Sequence, residues 1–124
     1  MTQSDDRPVT VLVVEDEDDQ RRLVTVSLQR AGCVGIAVNS AEEGLTRIDG
    51  VCLDLAIVDL RLPGMSGWAL VQELQARRPQ VPIAVTSVLD RESYPSEHTA
   101  LPKPFTNAQL RAVLQNLVPR WGTP

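Results

Sequence analysis

Aromatic residues are scarce in this chain: two Trp, one Tyr and one Phe make up 3% of it, and no basic stripe runs beside them. Nucleic-acid-binding surfaces combine clustered Lys and Arg with stacking rings. Their absence, with a net charge of −4, argues against direct nucleic-acid contact and leaves protein or small-ligand partners. The single histidine, His98, lies in a polar stretch and reads as a surface loop residue rather than a ligand or base. The two cysteines, Cys33 and Cys52, sit beside apolar residues without CxxC or Cys/His metal spacing, so both are expected as buried thiols. No apolar run approaches the roughly 20 residues that a membrane span requires. The opening MTQSDDRP lacks the basic flank and apolar stretch of an export signal, and the expected location is the cytoplasm. With 124 residues, one compact domain and one principal site are expected.

What is present is a regular alternation. Val9 to Val14 is an apolar run ending in Glu15 and Asp16, followed by a polar stretch and the periodic Leu23, Val24, Leu28 and Ala31, which reads as strand then helix. Gly32 stops that helix. Cys33 to Val38 is a second strand, and Ser40 with Glu43 forms a capping box for a short helix. Leu53 to Leu60, broken only by Asp54 and ending around Asp59, is the most continuous apolar run and reads as a central strand covered on both faces. After the turn LPGMSG, Trp68, Leu70, Val71 and Leu74 make a third helical face closed by Pro79, and Pro82 to Ser87 makes a fourth strand. Thr99 to Lys103 supplies a short last strand, with Pro102 tolerable only at a sheet edge. Thr106 and Gln109 cap a closing helix whose inner face is Leu110, Val113, Leu114 and Leu117. The expected domain spans residues 9–118, with tails at 1–8 and 119–124. The fold class is α/β: five βα units imply a parallel, doubly wound sheet, because parallel neighbours need right-handed crossovers.

In open α/β sheets, ligands bind beyond the carboxyl ends of the strands. There the chain places Glu15 and Asp16 after strand one, Asp59 after strand three, Thr86 and Ser87 after strand four, and Lys103 after strand five. Three carboxylates held close together resist joint ionisation unless a cation neutralises them, and a hard, oxygen-rich site with room for water suits Mg²⁺. Mg²⁺ and Lys103 can both neutralise phosphoryl oxygens, Thr86 can donate to a third, and Asp59, alone on the central strand before a loop, is the candidate nucleophile. Singly, each residue has a plainer reading. An acid after a strand commonly caps the next helix, a strand Thr satisfies its own backbone, and a Lys is usually a solvated charge. Their joint placement is what points to phosphoryl chemistry.

The strings VLVVEDE, AIVDLRLPGMSG, VTS and KPF together resemble the response-regulator receiver domain of two-component systems across nearly the whole chain. The resemblance implies that Asp59 accepts phosphate from a histidine kinase or phosphotransfer protein and that a downstream protein or effector domain reads the change. It implies that Asp16 and Asp59 bind Mg²⁺ directly, that Glu15 acts mainly through water, and that Arg61 offers its backbone carbonyl to the metal. Thr86, Lys103 and the Ser87 N–H would contact the phosphoryl group, and the Lys103–Pro104 peptide would be cis. The resemblance also supplies the flavodoxin-like strand order 2-1-3-4-5.

Two departures stand out. Receivers typically carry Tyr or Phe three positions before the lysine, an aromatic that swings inward on activation, and this chain has Ala100 there. The interval from Thr86 to Lys103 is also short and contains Pro95, so the helix between the fourth and fifth strands is expected to be absent or about one turn long. That shortening resembles an atypical, often single-domain group of receivers. With few apolar anchors, residues 88–99 are expected to open at low cost and to be ordered or moved by phosphorylation. Two other functions compete: a pseudo-receiver that keeps the fold without phosphate, and an aspartyl-phosphate phosphohydrolase, whose first-strand DxD motif VVEDE does not match.

Overall fold

Apolar residues alternating between two faces build the sheet in the computed structural model, which describes residues 7–87, 99–103 and 105–122. Its strands are β1 (Thr10–Val14), β2 (Val34–Val38), β3 (Leu55–Asp59), β4 (Ile83–Thr86) and β5 (Thr99–Ala100), all paired in parallel in the order β2-β1-β3-β4-β5. The helices are α1 (Asp18–Arg30), α2 (Ala41–Arg47), α3 (Gly67–Arg77) and α4 (Asn107–Leu117). Val11, Val13, Leu55 and Ile57 face a core closed by Val24 and Leu28 of α1 and Leu110 and Leu114 of α4. Leu12, Val14, Ala56 and Val58 face the opposite core, closed by Ala41 of α2 and Leu70 and Leu74 of α3. This double cover is why the central runs are apolar at every position, and each fully buried leucine there contributes on the order of 2 kcal/mol.

The helix starts are set by side-chain caps. Ser40, Ser66 and Thr106 accept from Glu43, Ala69 and Gln109 backbone N–H groups, and at Thr106 the reciprocal arm from Gln109 completes the box. Pro102 lies just past β5, where Leu101 N–H and Lys103 N–H donate to Val85 and Ser87 carbonyls at 2.8 and 3.0 Å. The alternate position belongs to Pro102, whose missing N–H would face outward from the edge, so the ladder to Lys103 is not broken.

Three expectations about side chains are corrected. Leu23 is 61% exposed and Trp68 43%, because each lies roughly 100° around its helix from the buried stripe of Val24 and Leu28 or of Leu70, Val71 and Leu74. Cys33 is buried but Cys52 is exposed, since it precedes the buried β3 run instead of joining it. Burial pushes the Cys33 thiol above its ordinary value, so a thiol reagent is expected to modify Cys52 alone in native protein and Cys33 only after denaturant is added. The shortened helix, Pro95, His98 and the Lys103–Pro104 peptide lie outside the described residues.

At the opposite end of the sheet from the predicted site, Asp54 is the centre of a clamp. It accepts from Arg7 Nη1 at 2.8 Å, from Arg120 Nη2 at 2.8 Å and from Thr10 N–H at 2.8 Å, while Arg120 also donates to the Arg7 and Pro8 carbonyls. Beside Arg120, the Trp121 indole donates to Ala31 O at 2.9 Å, so residues expected as a tail pack on the body. Burial alone would raise the Asp54 pKa, but the bonds from Arg120, Arg7 and Thr10 prevail and lower it from 3.8 to about 2. A depressed carboxylate stabilises the fold above its unfolded pKa and loses that contribution as pH falls through the folded one. Asp54→Asn should therefore cost about 1–2 kcal/mol at neutral pH, allowing for solvent screening, and the gap from wild type should begin to shrink below pH ~4 and close near pH ~2. Paired denaturant melts between pH 2 and 7 check this.

Candidate phosphoacceptor site

The site forms where β1, β3 and β4 end side by side. Asp59 is the last residue of β3 and stands in register with Thr86, the last of β4. Glu15 continues the β1 ladder, donating its N–H to Val38 O at 3.1 Å, and Asp16 follows it. Glu15 and Asp59 are buried, whereas Asp16 is exposed. One carboxylate oxygen from each of the three lies within 4.8 Å of the others. The cap of α1 is Glu17, which accepts from Gln20 N–H at 2.8 Å, so neither Glu15 nor Asp16 is consumed as a helix cap.

Lys103 reaches the same place from beyond β5. Its Nζ donates to Asp59 Oδ2 at 3.0 Å and pairs with Glu15 Oε1, with only 13% of the side chain exposed. Burial would lower the Lys103 pKa, but the hydrogen bonds to Glu15 and Asp59 outweigh it and raise it. For Glu15, burial is the larger influence and raises the carboxyl despite the bond from Lys103, with Asp59 adding repulsion. One ammonium shared by two buried carboxylates thus leaves the acid cluster short of positive charge.

The remaining predicted residues lie at the same rim. Arg61 N–H donates to the other Asp59 oxygen, Oδ1, at 2.9 Å, and Arg61 lines an open cleft of about 500 Å³ with Glu15, Asp16, Asp59 and Lys103. Thr86 Oγ1 is buried without a hydrogen-bond partner among the described residues. Ser87 is buried, and its carbonyl accepts from Lys103 N–H. The structure therefore brings together Glu15, Asp16, Asp59, Arg61 and Lys103, with Thr86 beside Asp59. The donor set fits a hard divalent cation: three carboxylates, no thiolate or imidazole, and a cleft open to water.

Two supporting residues are not apparent from the motif. A Cβ on Gly67, the first residue of α3, would stand 2.2 Å from Asp59 O, so only glycine lets the helix begin there. Arg21 Nη1 donates to Glu15 O at 3.0 Å from the first turns of α1. Their signals, a glycine after a capping serine and an arginine six residues past the first acid, acquire meaning only once the elements are packed.

The sequence profile of the response regulator receiver domain matches residues 11–115. The chain belongs to that family. Among related proteins, this receiver domain is 37% identical over 116 residues to the two-component response regulator PhoP of Pseudomonas aeruginosa, covering 89% of this chain and 52% of PhoP. Its fold superimposes on the receiver domain of a Methylobacillus flagellatus response regulator with a TM-score of 0.80, at 25% identity over 90% of this chain and 99% of the other. Response regulator TrrA of Thermotoga maritima, solved in complex with Mg²⁺–BeF, superimposes with a TM-score of 0.79 at 26% identity, covering 88% and 98% of the two chains. The chain spans about half the length of PhoP, and 22% and 17% of two further relatives. Receiver domains interact with histidine kinases and effector domains and bind Mg²⁺ at an acidic site. No helix among the described residues is long and apolar enough to cross a membrane.

Proposed function

We propose that this receiver domain is a phosphorylation switch whose phosphoacceptor is Asp59. The observation that carries the reading is the pairing at the ends of β3 and β4: a buried carboxylate held by Lys103, beside a buried hydroxyl, Thr86 Oγ1, that has no partner among the described residues. A phosphoryl group on Asp59 would give that hydroxyl an acceptor, and its negative charge would take Lys103 Nζ as a counter-ion.

In the transfer, an Asp59 carboxylate oxygen attacks phosphorus. The new O–P bond forms as the bond to the donor breaks: P–N for a phosphohistidine of a kinase or phosphotransfer protein, P–O for acetyl phosphate. The imidazole or acetate keeps the electron pair of the broken bond. Glu15, Asp16, Asp59 and the Arg61 backbone carbonyl would hold Mg²⁺, with Glu15 acting mainly through water. Bound there, Mg²⁺ would offset the carboxylate repulsion and neutralise phosphoryl oxygens. Lys103 orients Asp59 before transfer, Thr86 and the Ser87 N–H receive phosphoryl oxygens after it, and Arg61 N–H fixes the second carboxylate oxygen. The neighbouring residue in β5, Ala100, stands opposite Val85 and has no ring to follow Thr86 inward, so the output to a downstream protein or effector domain runs through another element. On this reading the domain works in the cytoplasm beside its phosphodonor and is not a turnover enzyme.

The distinguishing experiment follows phosphate release from excess acetyl phosphate with Mg²⁺. A burst close to one equivalent followed by slow resetting is expected. Continuous release at the initial rate would indicate a phosphohydrolase, and neither burst nor release would indicate a phosphate-independent interaction module.

A further inference from the structure

The acid pair has an unequal anchorage. Glu15 is held by Lys103 and, through Oε2, by Glu17 N–H at 3.1 Å. Asp16 is exposed, and its carboxylate makes no hydrogen bond or ion pair among the described residues, so its reach toward the other acids depends on where the backbone places its Cβ. The peptide joining the two acids carries the Glu15 carbonyl, and that carbonyl is the one gripped by Arg21. One guanidinium nitrogen, Nη1, donates to Glu15 O at 3.0 Å, and the other, Nη2, donates to Asp18 Oδ1 at 2.5 Å. The side chain is 23% exposed, and its backbone is fixed by Arg21 N–H to Glu17 O at 2.9 Å and by Thr25 Oγ1 donating to Arg21 O at 2.8 Å. A rigid helix turn therefore reaches back to clamp the peptide between the acids.

We infer that Arg21 is a positioning residue for the cation site, fixing the Glu15–Asp16 peptide so that the otherwise untethered Asp16 carboxylate points at the metal. The inference rests on the phosphoacceptor reading above. Mg²⁺ demands near-octahedral oxygen geometry, so a small rotation of that peptide weakens the site although no ligand has been removed. Residues that orient ligands from behind commonly matter about 10–100-fold in metal affinity. The opposite sign follows if Arg21 acts only as a charge. A guanidinium on the Glu15 backbone carbonyl, near the acid cluster, repels a divalent cation, so deleting it would then tighten Mg²⁺ binding.

The test is calorimetric titration of Mg²⁺ into the full chain as wild type, Arg21→Ala and Arg21→Lys, with the Mg²⁺ dependence of labelling by acetyl phosphate measured in parallel. Expected for Arg21→Ala is about tenfold weaker Mg²⁺ binding and an equal rise in the half-saturating Mg²⁺ for labelling, with the maximal rate at saturating Mg²⁺ within about twofold of wild type. Lysine keeps the charge but lacks the planar fork whose two nitrogens reach Glu15 O and Asp18 separately, so Arg21→Lys should fall between the two. Unchanged or tighter binding by a folded Arg21→Ala protein overturns the inference. Should Arg21→Ala fail to fold, wild-type affinity in Arg21→Lys overturns it equally. A wild-type chain that binds no Mg²⁺ removes the phosphoacceptor reading, and this inference with it.

Discussion

Lys103→Met is expected to label at least about 100-fold more slowly than wild type and to lose about 2–3 kcal/mol of stability in the absence of Mg²⁺. The slower labelling follows from removing the one amine bonded to Asp59, so that negative charge at the phosphoryl group loses a positioned donor. The stability loss has a separate origin. Glu15 and Asp59 are both buried and share that ammonium, so an isosteric apolar chain leaves two uncompensated carboxylates close together. Removing one partner of a fully buried ion pair costs about 3–5 kcal/mol, and the open cleft places this case at or just below the low end of that range. The two effects separate on adding Mg²⁺: the cation should restore most of the stability without restoring the rate, because it replaces the charge but not the donor. Denaturant melts with and without Mg²⁺, alongside labelling rates, check this. A variant as stable as wild type without the metal would show that Lys103 is not the counter-ion the geometry makes it.

Gly67→Ala should destabilise the domain by about 2–4 kcal/mol, although alanine is the better helix former. Exchanging glycine for alanine in a helix normally gains up to about 1 kcal/mol. Here the new methyl carbon would lie 2.2 Å from Asp59 O and 2.6 Å from Leu60 Cα, which is backbone and cannot turn aside. Either α3 or the end of β3 must move, and overpacking of this kind typically costs more than propensity returns. Movement at β3 also displaces Asp59, so labelling should slow together with the loss of stability. Gly44, inside α2, is the control. The nearest atoms to a Cβ there belong to the Val14, Val38 and Leu12 side chains at 3.4–3.8 Å, ordinary van der Waals contact, so Gly44→Ala should be neutral or gain up to about 1 kcal/mol. Thermal or denaturant melts of both variants test the sign, and a neutral Gly67→Ala would contradict the close approach of α3 to Asp59.

The strand ends were legible because they depend on local pattern. Asp59 closes the longest apolar run, Glu15 and Asp16 close the first, and in an open parallel sheet such positions converge at one edge whatever the details of packing. The Thr106 and Gln109 cap was legible for the same reason, since both partners lie within one turn. Asp54 was not. In the sequence it only interrupts an apolar run, and its partners Arg7 and Arg120 lie 47 and 66 residues away. Trp121 likewise finds Ala31 at a separation of 90 residues. Leu23 and Trp68 mislead for a different reason. Each adjoins a buried stripe in sequence, and only the position of the sheet decides which side of the helix is covered. Gly67 and Arg21 act through backbone atoms of other residues, a role that leaves no mark in residue type.

The central claim, that Asp59 is the phosphoacceptor, is tested most directly by intact mass after incubation with Mg²⁺ and acetyl phosphate, for wild type and Asp59→Asn side by side. A single phosphoryl adduct on wild type, absent in Asp59→Asn and absent when Mg²⁺ is chelated, is the predicted result. A folded, Mg²⁺-binding wild type that stays unmodified at saturating donor, or an adduct that persists in Asp59→Asn, would contradict it.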